Sequence, residues 1–230
     1  MTDEQYSIEM DRCLLCKSEK VSHFCRDNDS RLGRWRDFYR CSQCLLIFAD
    51  PNHRLSEKQE LERYELHEND PADPDYRKFL AQAFDPLQEK LAPGSYGLDF
   101  GSGPGPTLSV MLEEAGHHVD LYDIFFADNR KVFDRRYDFI TSTETAEHLF
   151  RPRFEFDRLW GCLKPGGWLA IMTRLASSDP NPEQFLNWHY KNDDTHVVFY
   201  TRETFQWLGN RWETQPEFYP GDVILFCKSA

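Results

Sequence analysis

The spacing of hydrophobic positions changes several times along the chain, and each change marks an element. From Asp75 onward, Phe79, Leu80, Ala83, Phe84, Leu87 and Leu91 recur every three or four residues. This predicts an amphipathic helix that Pro93-Gly94 ends. Short apolar runs at 97–100, 118–122, 139–142 and 168–173 read as strands. Helical stretches separate them at 108–115, stopped by Gly116, and at 154–163, stopped by Pro165-Gly166-Gly167. A helix over 202–208 capped by Thr201 and a strand over 223–227 close the pattern. Strands alternating with helices of this length predict an α/β fold, a parallel sheet with helices on both faces.

Upstream, Ser56 reads as the cap of a short helix reaching about Tyr64. The two prolines of Asn69-Asp70-Pro71-Ala72-Asp73-Pro74 exclude a helix interior there. Charge then divides the chain. Residues 1–60 hold 10 basic and 11 acidic side chains, whereas 61–230 hold 17 and 28. The total of −12 argues against a phosphate backbone as main partner. With 18 Phe, 10 Tyr and 6 Trp, the 230 residues can build one medium domain with a small appendage. No apolar run approaches the ~20 residues that cross a bilayer, and the first ten residues are polar. The expectation is a cytoplasmic protein without a membrane span. The break near Asp50-Pro51-Asn52 suggests a cysteine module at 1–50, a helical linker or lid at 51–92 and the α/β domain at 93–230.

Four of the seven cysteines form two Cys-x-x-Cys pairs, Cys13/Cys16 and Cys41/Cys44, 24 residues apart. Each pair is a knuckle that offers two thiolates to one tetrahedral Zn²⁺, and two pairs close the shell, so the metal is expected to be structural. This predicts a small N-terminal zinc ribbon. Between the knuckles lie Arg31, Arg34, Arg36 and Arg40 with Trp35, Phe38 and Tyr39. They read either as a β-hairpin packed on the body or as a nucleic-acid patch. Asp27, Asp29 and Asp37 balance the arginines, so nucleic acid is not the favoured partner.

The segment Leu98-Asp99-Phe100-Gly101-Ser102-Gly103-Pro104-Gly105 follows a strand and opens a helix. Glycines there let backbone approach a ligand, and Asp123 ends the next strand, where a carboxylate can accept from ribose hydroxyls. With 137–148 (YDFITSTETAEH) and 163–173 (LKPGGWLAIMT), these residues resemble the class I S-adenosylmethionine-dependent methyltransferases, in the broad group that includes quinone-ring methylases. The resemblance covers about 75–230. It implies a Rossmann-like methyltransferase sheet in which Asp99 and the loop Gly101, Ser102, Gly103, Gly105 hold the amino-acid part of the cofactor. It implies Asp123 for the ribose and Glu144 near the reacting centre, and Pro165-Gly166-Gly167 as a structural turn. Only 14 residues separate Asp123 from Asp138, too few for the family's helix and strand, so the sheet is expected to be shortened on that edge, its strand either missing or reduced to 131–133.

Methyl transfer to O or N asks for a base beside the methyl. Glu144, Glu147 and His148 share one face of a helical turn, where they either bind a divalent cation such as Mg²⁺ or cap the turn. The loop after the fourth strand carries Trp188, His189, Tyr190, Asp193, Asp194 and His196. His196 is the first candidate for general base, with Asp194 orienting it and Trp188 and Tyr190 walling the substrate. The alternative is that His196 only shapes the pocket. The expected activity is methylation of a small molecule. Zinc ribbons also accompany ribosomal-RNA methylases, so RNA is the second reading, and a methylase fold that binds without catalysis is the third.

Overall fold

A computed structural model describes residues 12–29, 34–66 and 69–229. Residues 1–11 of the module and Arg31 of the arginine stretch lie outside them. The elements run β1 (Val21–Asp29), β2 (Arg34–Cys41), β3 (Ile47–Ala49), α1 (Glu57–Tyr64), α2 (Pro74–Gln88), β4 (Tyr96–Phe100), α3 (Thr107–Glu114), β5 (His118–Tyr122), β6 (Tyr137–Thr143), α4 (Pro152–Cys162), β7 (Leu163–Met172), α5 (Pro182–Asn187), β8 (Val198–Phe199), α6 (Arg202–Arg211), β9 (Glu217–Tyr219) and β10 (Val223–Cys227).

The main sheet has the order β5-β4-β6-β7-β10-β9. Its first four strands are parallel, and β10 runs antiparallel to both β7 and β9. Alternate residues of each strand feed opposite faces. On β10, Val223 and Leu225 pack with Leu80, Leu87, Leu108 and Leu112 of α2 and α3. Ile224 and Phe226 pack with Phe156, Leu159, Phe205 and Leu208 of α4 and α6. The expected α/β sheet with helices on both faces is thus present.

The sheet ends at β5. Between β5 and β6 there is no strand; residues 130–134 form a 3-10 turn, so of the two alternatives the edge strand is missing, and the one with a remnant at 131–133 is corrected. The segment closes the edge by packing instead. Phe133 lies edge-on to Tyr122 at 4.7 Å, and the Arg158 guanidinium sits 3.5 Å from the Phe133 ring centroid. A second correction concerns Pro165-Gly166-Gly167, which lies inside β7 rather than in a turn before it. There Gly166 N–H donates to Lys228 and Lys228 N–H donates to Gly167, so both are held as sheet.

The cysteine module forms a second sheet, β1-β2-β3-β8, all antiparallel. Its last strand comes from the far end of the chain, with Ile47 opposite Phe199 and Phe48 opposite Val198. The module has no separate core. Leu15, Leu46 and Phe48 are buried in the same cluster as Phe156, Tyr200 and Phe226.

Candidate active site

The loops leaving the carboxyl ends of β4, β5 and β6 open into one cavity of about 650 Å³, and α1 and the start of α2 cover it. This volume suits a small-molecule site. One half is built from consecutive segments. Gly101 and Gly103 take left-handed φ values of 78° and 64°, which only glycine adopts without strain. Gly101 and Ser102 N–H groups donate to the Tyr122 carbonyl, which fastens the loop to β5. Asp123 accepts from Gly103 N–H at 3.0 Å and from the Phe125 and Phe126 N–H groups at 2.9 and 3.1 Å. Its carboxylate therefore organises both the loop and its own turn. Asp99 is buried and accepts from Thr141 Oγ1 (2.7 Å) and Ser109 Oγ (2.8 Å), and burial holds its carboxyl above the usual range. The Ser102 hydroxyl is buried, with no hydrogen-bond partner among the described residues.

The other half gathers distant segments. Glu144, just past β6, takes φ 47°, an uncommon conformation for a residue with a side chain. Burial, with Glu147 nearby, pushes its carboxyl up to about 8. Glu147 is fully buried and accepts from Tyr190 OH (2.6 Å) and Thr173 Oγ1 (2.8 Å). His148 Nδ1 pairs with the Thr195 carbonyl at 3.1 Å, and His196 Nδ1 with the Tyr190 carbonyl at 2.7 Å. A carbonyl accepts only, so each Nδ1 carries a proton; Nε2 of His148 lies 3.9 Å from Glu147 Oε1. The two rings lie 4.8 Å apart and both line the cavity. Burial, followed by the neighbouring His148, holds His196 below the ordinary imidazole range.

Several expected residues sit differently. Asp194 pairs with Arg63 Nε at 3.2 Å, so the group that orients His196 is the Tyr190 carbonyl and not Asp194. Trp188 and Tyr190 pack against each other and Phe199 beneath the loop, outside the cavity lining. The aromatic walls are instead Tyr64, Tyr76, Phe79 and Phe125. Among the described residues, the atoms that cluster at metal-ligand distance here belong to Glu147, His148 and His196, with Glu144 outside the group. Tyr64, Glu60 and Asn69 also line the site and were not singled out from sequence. Glu60 and Tyr64 lie on the Ser56-capped helix, and Asn69 opens the Pro71/Pro74 segment that follows it.

A family model described as "Methyltransferase domain" matches residues 72–212, more than half of the chain and all of the carboxyl-edge loops just described. The chain belongs to the class I S-adenosylmethionine-dependent methyltransferases. Solved methyltransferases resemble it at low identity. A Thermotoga maritima S-adenosylmethionine-dependent methyltransferase is 17% identical, with 75% of this chain and 96% of that one covered at a TM-score of 0.42. An O-methyltransferase family protein of Burkholderia thailandensis is 13% identical over 74% and 63%, TM-score 0.48. A Haemonchus contortus phosphoethanolamine N-methyltransferase 2 is 16% identical over 74% and 48%, TM-score 0.49. No curated protein matches.

In this methyltransferase the cysteine cluster fits a small zinc ribbon. Cys13 Sγ lies 3.5 Å from Cys44 Sγ and Cys16 Sγ 3.4 Å from Cys41 Sγ, with all four sulfurs within 4.8 Å. A tetrahedron of ~2.3 Å Zn–S bonds has edges near 3.8 Å, so the donors suit Zn²⁺. Cys25 packs elsewhere, with Phe38 and Phe185, and the nearby His23 binds Asp37 at 2.8 Å. Of the arginines between the knuckles, Arg36 is buried on backbone carbonyls and Arg40 pairs with Asp179. Among the described residues, no helix is long and apolar enough to cross a membrane.

Proposed function

We propose that this chain transfers the methyl group of S-adenosylmethionine to a small-molecule acceptor. The observation that carries the reading is one cavity that joins the glycine loop and Asp123 to Glu144, His148 and His196. When bound, S-adenosylmethionine supplies an electrophilic methyl on a sulfonium. Asp99, Gly101, Ser102, Gly103 and Gly105 hold its amino-acid end, the unpartnered Ser102 hydroxyl offering one hydrogen bond, and Asp123 takes the ribose. Asp99 works partly from behind the loop, since both its oxygens already accept hydroxyls.

His196 Nε2 is the general base. Its proton-bearing Nδ1 is fixed, and its depressed basicity keeps the ring neutral near pH 7. With the methyl supplied as an electrophile to the acceptor held beside it, His196 Nε2 takes the acceptor's proton. His148 lies beside His196 with its Nε2 3.9 Å from Glu147 Oε1, and Glu144 borders the reacting centre. The four cysteines hold a structural Zn²⁺. The lining around this corner, Glu57, Glu147 and Asp193 against Arg151 beside the raised carboxyls of Glu60 and Glu144, suits a neutral or cationic acceptor rather than an anion.

Calorimetric titration of the zinc-loaded protein with S-adenosylhomocysteine, with NADH as control, tests this. Binding near micromolar for S-adenosylhomocysteine alone, lost in Asp123→Ala, is expected. Equal affinity in that variant removes the site assignment, and absence of binding in the parent protein removes the function.

A further inference from the structure

The loop that carries His196 is not held by the methyltransferase sheet alone. Arg36 on β2 is buried, with 2% of its surface exposed, and its side chain reaches across to residues about 155 positions later. Its Nη1 donates to the carbonyls of Lys191 (3.0 Å) and Asp193 (3.2 Å), and its Nη2 donates to the carbonyl of His196 itself (2.8 Å). Directly opposite Arg36 on β1 stands Asp27. The ammonium of Lys191, nearly fully buried, pairs with Asp27 and also donates to Asn192 Oδ1 at 2.8 Å. One rung of the cysteine-module hairpin, Asp27–Arg36, thus grips the loop from both sides. Below it, Ala49 N–H donates to Val197, and β3 pairs with β8.

The grip reaches the chemistry through the loop's own carbonyls. The loop that Arg36 grips also places the Tyr190 carbonyl at His196 Nδ1 and the Thr195 carbonyl at His148 Nδ1. Both imidazoles therefore have Nδ1 fixed by carbonyls of a loop whose other carbonyls bind an arginine of the cysteine module. A buried guanidinium making several charge-assisted bonds is costly unless all its partners stay in place, so it enforces one loop conformation.

We propose that Arg36 is a positioning residue for the acceptor half of the active site: through the Asp27–Arg36 rung, the metal-bound ribbon holds loop 190–197 so that His148 and His196 both present Nε2 to the cavity. The proposal rests on the methyltransferase reading of that cavity. It makes the ribbon a working part of the site rather than an appendage.

The test compares full-length, zinc-loaded parent protein with Arg36→Met and Arg36→Lys. Amide hydrogen exchange reads the loop, and ¹⁵N resonances of the histidine ring nitrogens read the tautomers. In Arg36→Met, exchange at residues 191–197 should rise by about tenfold or more while β4, α3 and β5 keep the parent's rates. The rings of His148 and His196 should pass from Nδ1–H to a mixture of tautomers. Zinc content and S-adenosylhomocysteine affinity should stay at the parent's values. Arg36→Lys keeps the charge but loses the fork, and should recover part of the protection. Parent-like exchange and parent-like ring resonances in Arg36→Met overturn the proposal. If Arg36→Met does not fold, the same signals in Arg36→Lys decide, and values equal to the parent's overturn it. Failure of the methyltransferase reading looks different: the parent protein then binds no S-adenosylhomocysteine, while the loop signals still respond to Arg36.

Discussion

The two halves of the cavity are built on opposite principles. The cofactor half comes mainly from the 28 consecutive residues from β4 to Asp123, one strand–helix–strand unit, with Thr141, Thr145 and Asn69 reaching it from outside. The acceptor half draws on α1, the turn after β6 and the loop ahead of β8, and it leans on the cysteine module through Arg36 and Lys191. A half made of local contacts survives damage elsewhere. A half made of long-range contacts fails when any of its distant supports is removed.

Removing the metal tests this most harshly. Structural zinc in small modules contributes about 10–16 kcal/mol to folding, and this module shares a core with the body instead of owning one. Chelation, or Cys44→Ser, should abolish amide protection in β1 to β3 and then in the loop at 190–197. S-adenosylhomocysteine affinity should change by less than about fivefold, because the glycine loop is fastened to Tyr122 and Asp123. Loss of cofactor binding in parallel with the zinc would show that the halves are one unit.

The reverse damage is Gly105→Ala. A Cβ there would stand 1.7 Å from the Asn69 carbonyl oxygen, which is backbone and cannot swing aside. The loop or the 69–73 segment must shift, and S-adenosylhomocysteine affinity should fall by about a hundredfold, near 2.7 kcal/mol. Loop exchange at 190–197 should stay unchanged. Gly161→Ala, in α4 with no atom within 4 Å of the new Cβ, is the matched control and should leave affinity alone. A parent-like affinity in Gly105→Ala would mean that the loop has slack the close approach does not suggest.

The same contrast explains what was legible beforehand. Strand, glycine turn, helix and Asp123 follow one another in the chain, so their joint role could be read from spacing. The Ser56 cap was also readable, and Gln59 completes it as a reciprocal capping box. The acceptor half resisted because its determinants are tertiary. Asp194, next to His196 but one, was the natural orienting acid on sequence distance alone, yet Arg63 of α1 claims it. Arg36 read as one of four arginines of a surface patch, and only the fold reveals that it points inward. β3, β8 and β9, at two or three residues each, are too short to carry a periodicity. The choice between a missing edge strand and a remnant at 131–133 was out of reach for a related reason: side-chain packing around Phe133, and not strand pairing, closes the edge.

A milder cut within the acceptor half is Tyr190→Phe. It removes the hydroxyl that donates to Glu147 at 2.6 Å and leaves a fully buried carboxylate oxygen without that donor. The loss should be about 1–3 kcal/mol of stability, read by urea unfolding, with S-adenosylhomocysteine affinity unchanged. An unchanged midpoint would place the weight on Thr173, the carboxylate's other donor.

The smallest effect is one of pH. Glu60 on α1 is buried, and that burial, opposed in part by Arg54, pushes its carboxyl up to about 7 from an ordinary 4.5. Because the folded protein holds this proton more tightly than the unfolded chain, the stabilisation is complete below pH 4.5. It fades as pH rises through about 7. Glu144, pushed up to about 8, adds to the same trend over a slightly higher range. Glu60→Gln keeps the shape and removes the titration. At pH 5 its melting temperature should match the parent's. At pH 8 it should exceed the parent's by a few degrees, the order that ~1 kcal/mol gives in a domain of this size. Melting curves that run parallel from pH 5 to 8 would mean that water or Arg54 already neutralises the cost. The acceptor half would then hold its acids as comfortably as the cofactor half holds Asp123, which ties down three backbone N–H groups.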